Sequence, residues 1–506
     1  VDGVVAVQGD RRPRPDRPRP RWRRASSGLR LQRHRDRRRG GREVVGVALT
    51  ETRGEAATTD EAGVARIATL TVSALAVLIA PPLYLLLDLA VVGRLGGDQL
   101  AALGVGTLVL SIVSTQLTFL SYGTTARSAR RFGAGDRVGA VREGVQASWI
   151  AVAVGVVIVA VAYPLAPMVM RLLVGASSPE SAAVAADAAH WMRIAMFGVP
   201  LILLSMAGNG WMRGVQDTRR PVVYVVIGLS LAAVLVVGLV HGVGPFPRLG
   251  LPGSAVANVI GQGVTGVLFA VRVIREAASS PESNGFRPDR RIIGAQLSMA
   301  RDLIVRSLSF QICFVSAAAV AARFGVAQVA AHQLVLQLWE FMALFLDSVA
   351  IAAQALVGAA LGGGRVKVAD TVARRVTGVS VVAATAMAAV FAAGATLIPR
   401  IFTSDDAVLD AIGVPWWFFV GMLPIAGVVF ALDGVLLGSG DAAFLRTATL
   451  TGALVGFLPL IWLSLIFDWG LAGVWSGLVV FMVVRLATVV WRIRSGRWRQ
   501  AGAVPA

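Results

Sequence analysis

From about residue 65 the chain is a succession of long apolar runs separated by short polar loops. That rhythm constrains the fold more than any other feature. A helix needs about 20 apolar residues to cross the roughly 30 Å hydrocarbon layer of a bilayer. Candidate runs lie near 65–92, 100–125, 145–170, 189–212, 221–241, 251–274, 296–322, 328–360, 375–399, 413–438, 444–467 and 470–493. A membrane barrel would show short alternating segments, whereas these runs are continuous and satisfy their own backbone groups only as helices. Composition agrees, with 56% hydrophobic and 15% charged residues in 506. The sequence therefore predicts an all-α polytopic membrane protein of twelve transmembrane helices.

Every second loop is basic. Arg127, Arg130, Arg131, Arg137 and Arg142 follow the second run; Arg213, Arg219 and Arg220 follow the fourth. Arg272, Arg275, Arg287, Arg290 and Arg291 follow the sixth, Arg365, Lys367, Arg374 and Arg375 the eighth, and Arg492, Arg494, Arg497 and Arg499 the twelfth. The loop after the tenth run, with Arg446, is the weakest of the set. The alternate loops carry acids or little charge: Glu180 and Asp187, then Asp405, Asp406 and Asp410, then Asp468. Basic loops stay in the cytoplasm, so an even helix count with both termini cytoplasmic, in the plasma membrane, is expected.

Several functions are excluded. Lys367 is the sole lysine and Val368 follows it, so a Walker A loop is absent. Four scattered histidines and the single Cys313 supply neither a metal cluster nor a disulfide. No catalytic constellation, cofactor site or metal site is expected, and the chain does not read as an enzyme. Much of the net charge of +19 sits in the first 60 residues, in "RRPRPDRPRPRWRR" and "RHRDRRRGGR". Residues 1–62 read as a disordered tail touching anionic headgroups, or as a leader read through from an upstream start. Arg-rich low complexity without a fold is no specific sign of nucleic-acid binding, and no nucleic-acid partner is expected.

The chain repeats itself. "RLGGDQLAAL" (94–103) matches "RFGVAQVAAH" (323–332) at an offset of 229, and the same offset carries "FGAG" (132–135) onto "LGGG" (361–364). "PLILLSMAGNGWMRGVQD" (200–217) matches "PIAGVVFALDGVLLGSGD" (424–441), and "GLPG" (250–253) corresponds to "GLAG" (470–473). The expected organisation is an N-terminal six-helix bundle (63–274), a basic cytoplasmic linker (275–295), a C-terminal six-helix bundle (296–494) and a tail (495–506). Two parallel repeats can rock about a central cavity, which is the mechanical basis of alternating access.

"PLYLLLDLAVVGRLGGDQLAALGVG", "AAHQLVLQLWEFMALFLDSVAIAAQALVGAALGGG" and "FALDGVLLGSGD" resemble the multidrug and toxic compound extrusion (MATE) family, most of all the branch named for damage-inducible protein F. The similarity covers nearly all of residues 65–494. It implies a secondary antiporter that exports cationic or amphipathic compounds against inward H⁺ or Na⁺, without a cofactor. Membrane lipid and small organic cations or amphiphiles are the expected partners, and the chain is expected to act as a monomer. A flippase for lipid-linked precursors, with a strongly cationic cavity, is the alternative within the superfamily; Arg306 and Arg485 are the arginines inside apolar runs that would serve it. A non-transporting membrane scaffold is a third.

The family's coupling carboxylate on the first helix falls on Asp88. An ionised carboxylate in the bilayer costs about 2.5–3.5 kcal/mol, so keeping one demands a use. Tyr84, one turn earlier, is expected to bring its hydroxyl to the acid. The opposing reading has Asp88 at the outer interface or paired with Arg94. Pro81 and Pro82 remove two backbone donors and are expected to bend the helix. Where many family members have a proline four turns before the acid, this chain has Ser73, and its fifth run carries no acid. In the second half Gln333, Gln337 and Glu340 share a helical face, with Asp347 two turns on. Gln337, Trp339, Glu340, Phe345 and Asp347 are expected to line the substrate cavity. His332 and Asp433 are read as gating or structural groups. Trp191, Trp211, Trp416 and Trp417, near span ends, read as interface aromatics.

Overall fold

In a computed structural model, residues 63–175, 178–279 and 286–502 are described. The Arg-rich segment 1–62 lies outside them, as do residues 280–285 of the linker. Twelve helices are long and apolar enough to cross a membrane: α1 (Val64–Val92), α2 (Gly97–Gly133), α3 (Arg137–Val174), α4 (Pro179–Gly214), α5 (Arg219–His241), α6 (Leu251–Ala278), α7 (Arg290–Arg323), α8 (Val326–Gly362), α9 (Val366–Ala393), α10 (Asp406–Gly438), α11 (Ala442–Ile466) and α12 (Gly470–Arg494). No strand occurs among the described residues. Every expected run contains one helix, but most helices outlast their runs. α3 and α9 begin at Arg137 and Val366, ahead of the apolar runs from 145 and 375, because a helix continues past the hydrocarbon while its backbone bonds are satisfied. α8, with 37 residues, is about 55 Å long and projects well beyond the apolar layer.

Three helices are interrupted in ways that hydropathy does not reveal. α2 breaks at Leu117–Thr118, α4 tightens into a 3₁₀ turn at Met196–Gly198 before Pro200, and α11 loosens into a π turn at Gly452–Phe457. The π turn lies against Phe481 and the stem of Arg485 on α12. α1 stays helical through Pro81 and Pro82, which both face outward.

The molecule is two pseudo-symmetric six-helix bundles, and the glycines of the repeat show how they are related. A Cβ on Gly210 of α4 would stand 2.5 Å from the carbonyl oxygen of Ser121 on α2; one on Gly434 of α10 would stand 2.2 Å from that of Ala350 on α8. The matching glycines thus make matching contacts inside their own halves. Between the halves, a Cβ on Gly133 would lie 1.9 Å from the carbonyl oxygen of Ala359, and one on Gly362 would lie 2.0 Å from that of Arg130. The 229-residue offset carries Gly133 onto Gly362 and Arg130 onto Ala359. The contact is therefore reciprocal, as at a two-fold interface. α2 and α8 touch backbone to backbone at the Arg-rich end of the molecule.

Arg130 sits in that contact, 2% exposed. Its guanidinium donates to the carbonyls of Ser439 (2.7 Å) and Gly438 (3.5 Å) at the end of α10, and to Gln500 (3.0 Å) and Gly502 (3.3 Å) of the C-terminal tail. A cation at a helix C-terminus is electrostatically favoured. The tail is fastened further by Gly502 N–H to Leu361, Arg499 to Asp370 on α9, and the buried Trp498. On the N-terminal side Glu143, fully buried on α3, takes a bidentate pair from Arg127 (2.8 and 2.9 Å) and a bond from Gln296 of α7 (2.9 Å). The last linker residues dock on α3, where Gln146 bonds Arg287 and Asp289, and Trp149 bonds Phe286.

Candidate functional site

Away from the Arg-rich end the two halves diverge. On α8 every residue from 348 to 362 is buried, and within that length the stripe 351, 355, 358 and 362 meets the N-terminal bundle, with Gly358 against Ala129 and Gly362 against Arg130. Continued along the helix, that stripe runs through Asp347, Glu340, Gln337 and Gln333, of which Asp347 is half-buried and the others are exposed. The equivalent positions on α2, at the same offset, behave alike: Gly104, Leu108, Ser111 and Ile112 are exposed, matching Gln333, Gln337, Glu340 and Phe341. The two helices touch at one end and leave a cleft at the other. Its walls differ chemically, being apolar on α2 and carboxamide- and acid-bearing on α8.

Of the cavity residues expected from sequence, Gln337 and Glu340 are exposed on this wall and Phe345 and Asp347 are half-buried beside it. Trp339 departs from its assignment. Its position on α8 points into the C-terminal bundle, where it is packed in the apolar core with Leu336, Met342 and Trp475. His332 is also buried, edge-on to Trp475, with neither ring nitrogen hydrogen-bonded. The interface reading fails for Trp191, Trp211 and Trp416, all buried; Trp417 alone of that set is exposed.

Asp88 is 1% exposed, inside the N-terminal bundle, and so neither reaches the interface nor meets Arg94, which is exposed. The side chain that reaches it is not Tyr84. Ser254, in the first turn of α6, donates to Asp88 Oδ2 at 2.8 Å, and Trp191 of α4 donates its indole N–H to Ser254 Oγ at 3.2 Å. The Trp191 ring packs against Gly106 of α2, where a Cβ would come within 2.6 Å of it. The other carboxylate oxygen, Oδ1, and the Tyr84 hydroxyl are buried without a hydrogen-bond partner. Four helices thus build a carboxylate with one oxygen satisfied, one vacant, and no cation paired to it among the described residues.

A second polar cluster lies at the foot of the cleft and joins both halves. Asp433 of α10 takes Arg306 of α7 (2.6 Å) and Arg485 of α12 on the same oxygen, Oδ2. The Phe310 ring lies beneath both guanidiniums, at 5.7 and 5.0 Å. Across the bundle boundary the Tyr122 hydroxyl of α2 donates to Asp347 of α8, and Gln354 donates to the Tyr122 carbonyl at 2.7 Å. Asp433, expected near the end of its helix as a cap or gate, is instead the buried partner of two arginines. Ser254, Trp191, Tyr122 and Arg130 were not among the site residues expected from sequence. Arginines inside apolar runs were the signal for Arg306 and Arg485, but nothing local in the sequence marks Ser254.

A duplicated bundle of twelve spans, closed at one end over a cleft with buried carboxylates, has the architecture of a polytopic membrane transporter. The chain belongs to the MatE family, whose model matches it twice, over residues 73–237 and 303–463. Among curated relatives it is 29% identical over 442 residues to Protein DETOXIFICATION 44, chloroplastic, of Arabidopsis thaliana, covering 85% of this chain and 82% of that one. It is 29% identical over 435 residues to DNA damage-inducible protein F of Escherichia coli (83% and 90%), and 27% over 430 to the probable multidrug resistance protein NorM of Bradyrhizobium diazoefficiens (80% and 88%). A crystal structure of MATE in the bent conformation shares the fold with a TM-score of 0.77 at 24% identity, over 86% of this chain and 96% of that one. An outward-facing multidrug resistance MATE family transporter of the MOP superfamily does so at 0.74 and 24%, over 86% and 96%.

Proposed function

We propose that this protein is an efflux antiporter that moves cationic or amphipathic small molecules out of the cytoplasm in exchange for H⁺, with Asp88 as the coupling carboxylate. The observation that carries the reading is Asp88 itself: buried, unpaired with any cation among the described residues, and with Oδ1 lacking a hydrogen-bond partner. A proton on Oδ1 removes the charge that burial opposes, and its loss restores a charge that Ser254 alone supports. The oxygens close to the acid are hydroxyls, from Ser254 and Tyr84, and the fifth helix adds no carboxylate, a donor set better suited to a proton than to a sodium ion. The names of the NorM and DETOXIFICATION relatives support an efflux role.

With the basic loops in the cytoplasm, the closed α2–α8 end is cytoplasmic and the cleft opens outward. The moving bodies are residues 63–274 and 296–494, rocking about that contact, with Pro81 and Pro82 weakening α1 between its ends. In proteoliposomes a fluorescent organic cation should follow an imposed pH gradient at equal sodium on both sides. Movement that follows a sodium gradient at fixed pH would overturn the proton assignment. Passage of headgroup-labelled lipid with no cation movement would favour the flippase.

A further inference from the structure

Arg130 crosses the boundary between the halves, and what it holds on the far side is neutral. Among the described residues its acceptors are four backbone carbonyls, all beyond that boundary: Gly438 and Ser439 where α10 ends, and Gln500 and Gly502 in the C-terminal tail. Hydrogen bonds from a charged donor are strong, so the contact is firm while it stays dry. Carbonyls nevertheless offset the desolvation of a buried guanidinium less completely than a carboxylate would. Water entering between α2 and α8 rehydrates the cation, which makes the same contact releasable.

The tail's remaining attachments stay within its own half. Beyond α12 the buried Trp498 donates its indole N–H to Ile493 (3.1 Å), Arg499 pairs with Asp370 of α9 (2.8 Å), and Gly502 N–H bonds Leu361 of α8 (3.1 Å). One end of the tail is thus fixed to the C-terminal bundle, and its carbonyls reach the N-terminal bundle through Arg130. We infer that residues 495–502 are a strap across the closed end, whose hold on Arg130 sets how readily α2 and α8 part. The tail travels with the C-terminal bundle, and Arg130 releases it each time the bundles rock. The strap therefore acts on the opening of the Arg-rich end, and leaves the Asp88 carboxylate untouched. The inference rests on the rocking-bundle reading and adds a restraint to it.

Electron spin resonance distances across the closed end test it, with labels at the exposed positions of Arg137→Cys and Arg374→Cys in a Cys313→Ser background, the full chain being held in nanodiscs. Gly502→Pro removes the N–H that holds Leu361 and forbids the +130° φ that this glycine adopts, without altering a buried side chain. It should raise the ratio of long to short distances by roughly threefold or more, as should ending the chain after Gly496. Arg130→Gln should also lengthen the distances, and Gly502→Pro added to it should change little further, because both act through one contact. Thermal unfolding reports whether each variant is folded; where the shortened chain is not, Gly502→Pro decides. Wild-type distances in folded Gly502→Pro, or effects of Arg130→Gln and Gly502→Pro that add in full, would overturn the inference. Transport is scored separately: lengthened distances in a protein that moves no cation along a pH gradient leave the strap standing and sink the antiport reading.

Discussion

Asp88 illustrates how burial and incomplete satisfaction combine at a single residue. Its neighbours supply one good donor and withhold a second, so the side chain is poorly served as an anion and well served as an acid. Ser254→Ala removes the donor from Oδ2. A buried acceptor left unsatisfied costs about 1–3 kcal/mol, and more when charged. Ser254→Ala should therefore destabilise the protein more in alkaline than in acid solution, read from thermal unfolding across pH. An equal loss at every pH would mean that Asp88 does not change charge in the folded state. The acid could be picked from the sequence because a lone carboxylate among leucines is expensive. Its partner could not, because a serine in a membrane helix ordinarily returns its hydroxyl to its own backbone, as Ser205 and Ser309 do here.

At the scale of elements, the paired glycines and Arg130 govern the closed end. Gly362→Ala places a methyl 2.0 Å from the Arg130 carbonyl oxygen, which no side-chain rotation relieves. The backbones of α2 and α8 must part. Spin labels on the Arg-rich ends of these helices should report a longer, broader distance in Gly362→Ala; an unchanged distribution would show that the contact is not the fulcrum. Arg130→Gln loses most of the donors that hold four carbonyls. The C-terminal tail should then be cleaved faster by protease, by roughly tenfold if about 1.4 kcal/mol of restraint is lost. Unaltered cleavage would assign the tail's order to Trp498, Arg499 and the Gly502–Leu361 bond. Helix number was readable from apolar run length. The breaks in α2, α4 and α11 were not, because an interruption that keeps its hydrophobic side chains leaves hydropathy untouched.

Across the whole molecule, one duplication explains both the closed end and the cleft. The same offset pairs buried positions where α2 and α8 meet and exposed positions where they part. The halves differ where function would require it: Asp88 falls on Ala317 and Arg130 on Ala359, so the carboxylate and the latch each belong to the first half alone. The repeat itself was legible in the sequence, and so was the acid that breaks its symmetry. The cluster of Tyr122, Asp347, Arg306, Asp433 and Arg485 was not, since five helices contribute one residue each and no local pattern joins them. If Asp88 couples transport to protons, the most direct test is uphill movement of a fluorescent cation driven by an imposed pH gradient in proteoliposomes of wild type and Asp88→Asn. Wild type should concentrate the cation against its gradient, and Asp88→Asn, folded and inserted equally well, should not. Uphill transport by Asp88→Asn at the wild-type rate would contradict the account.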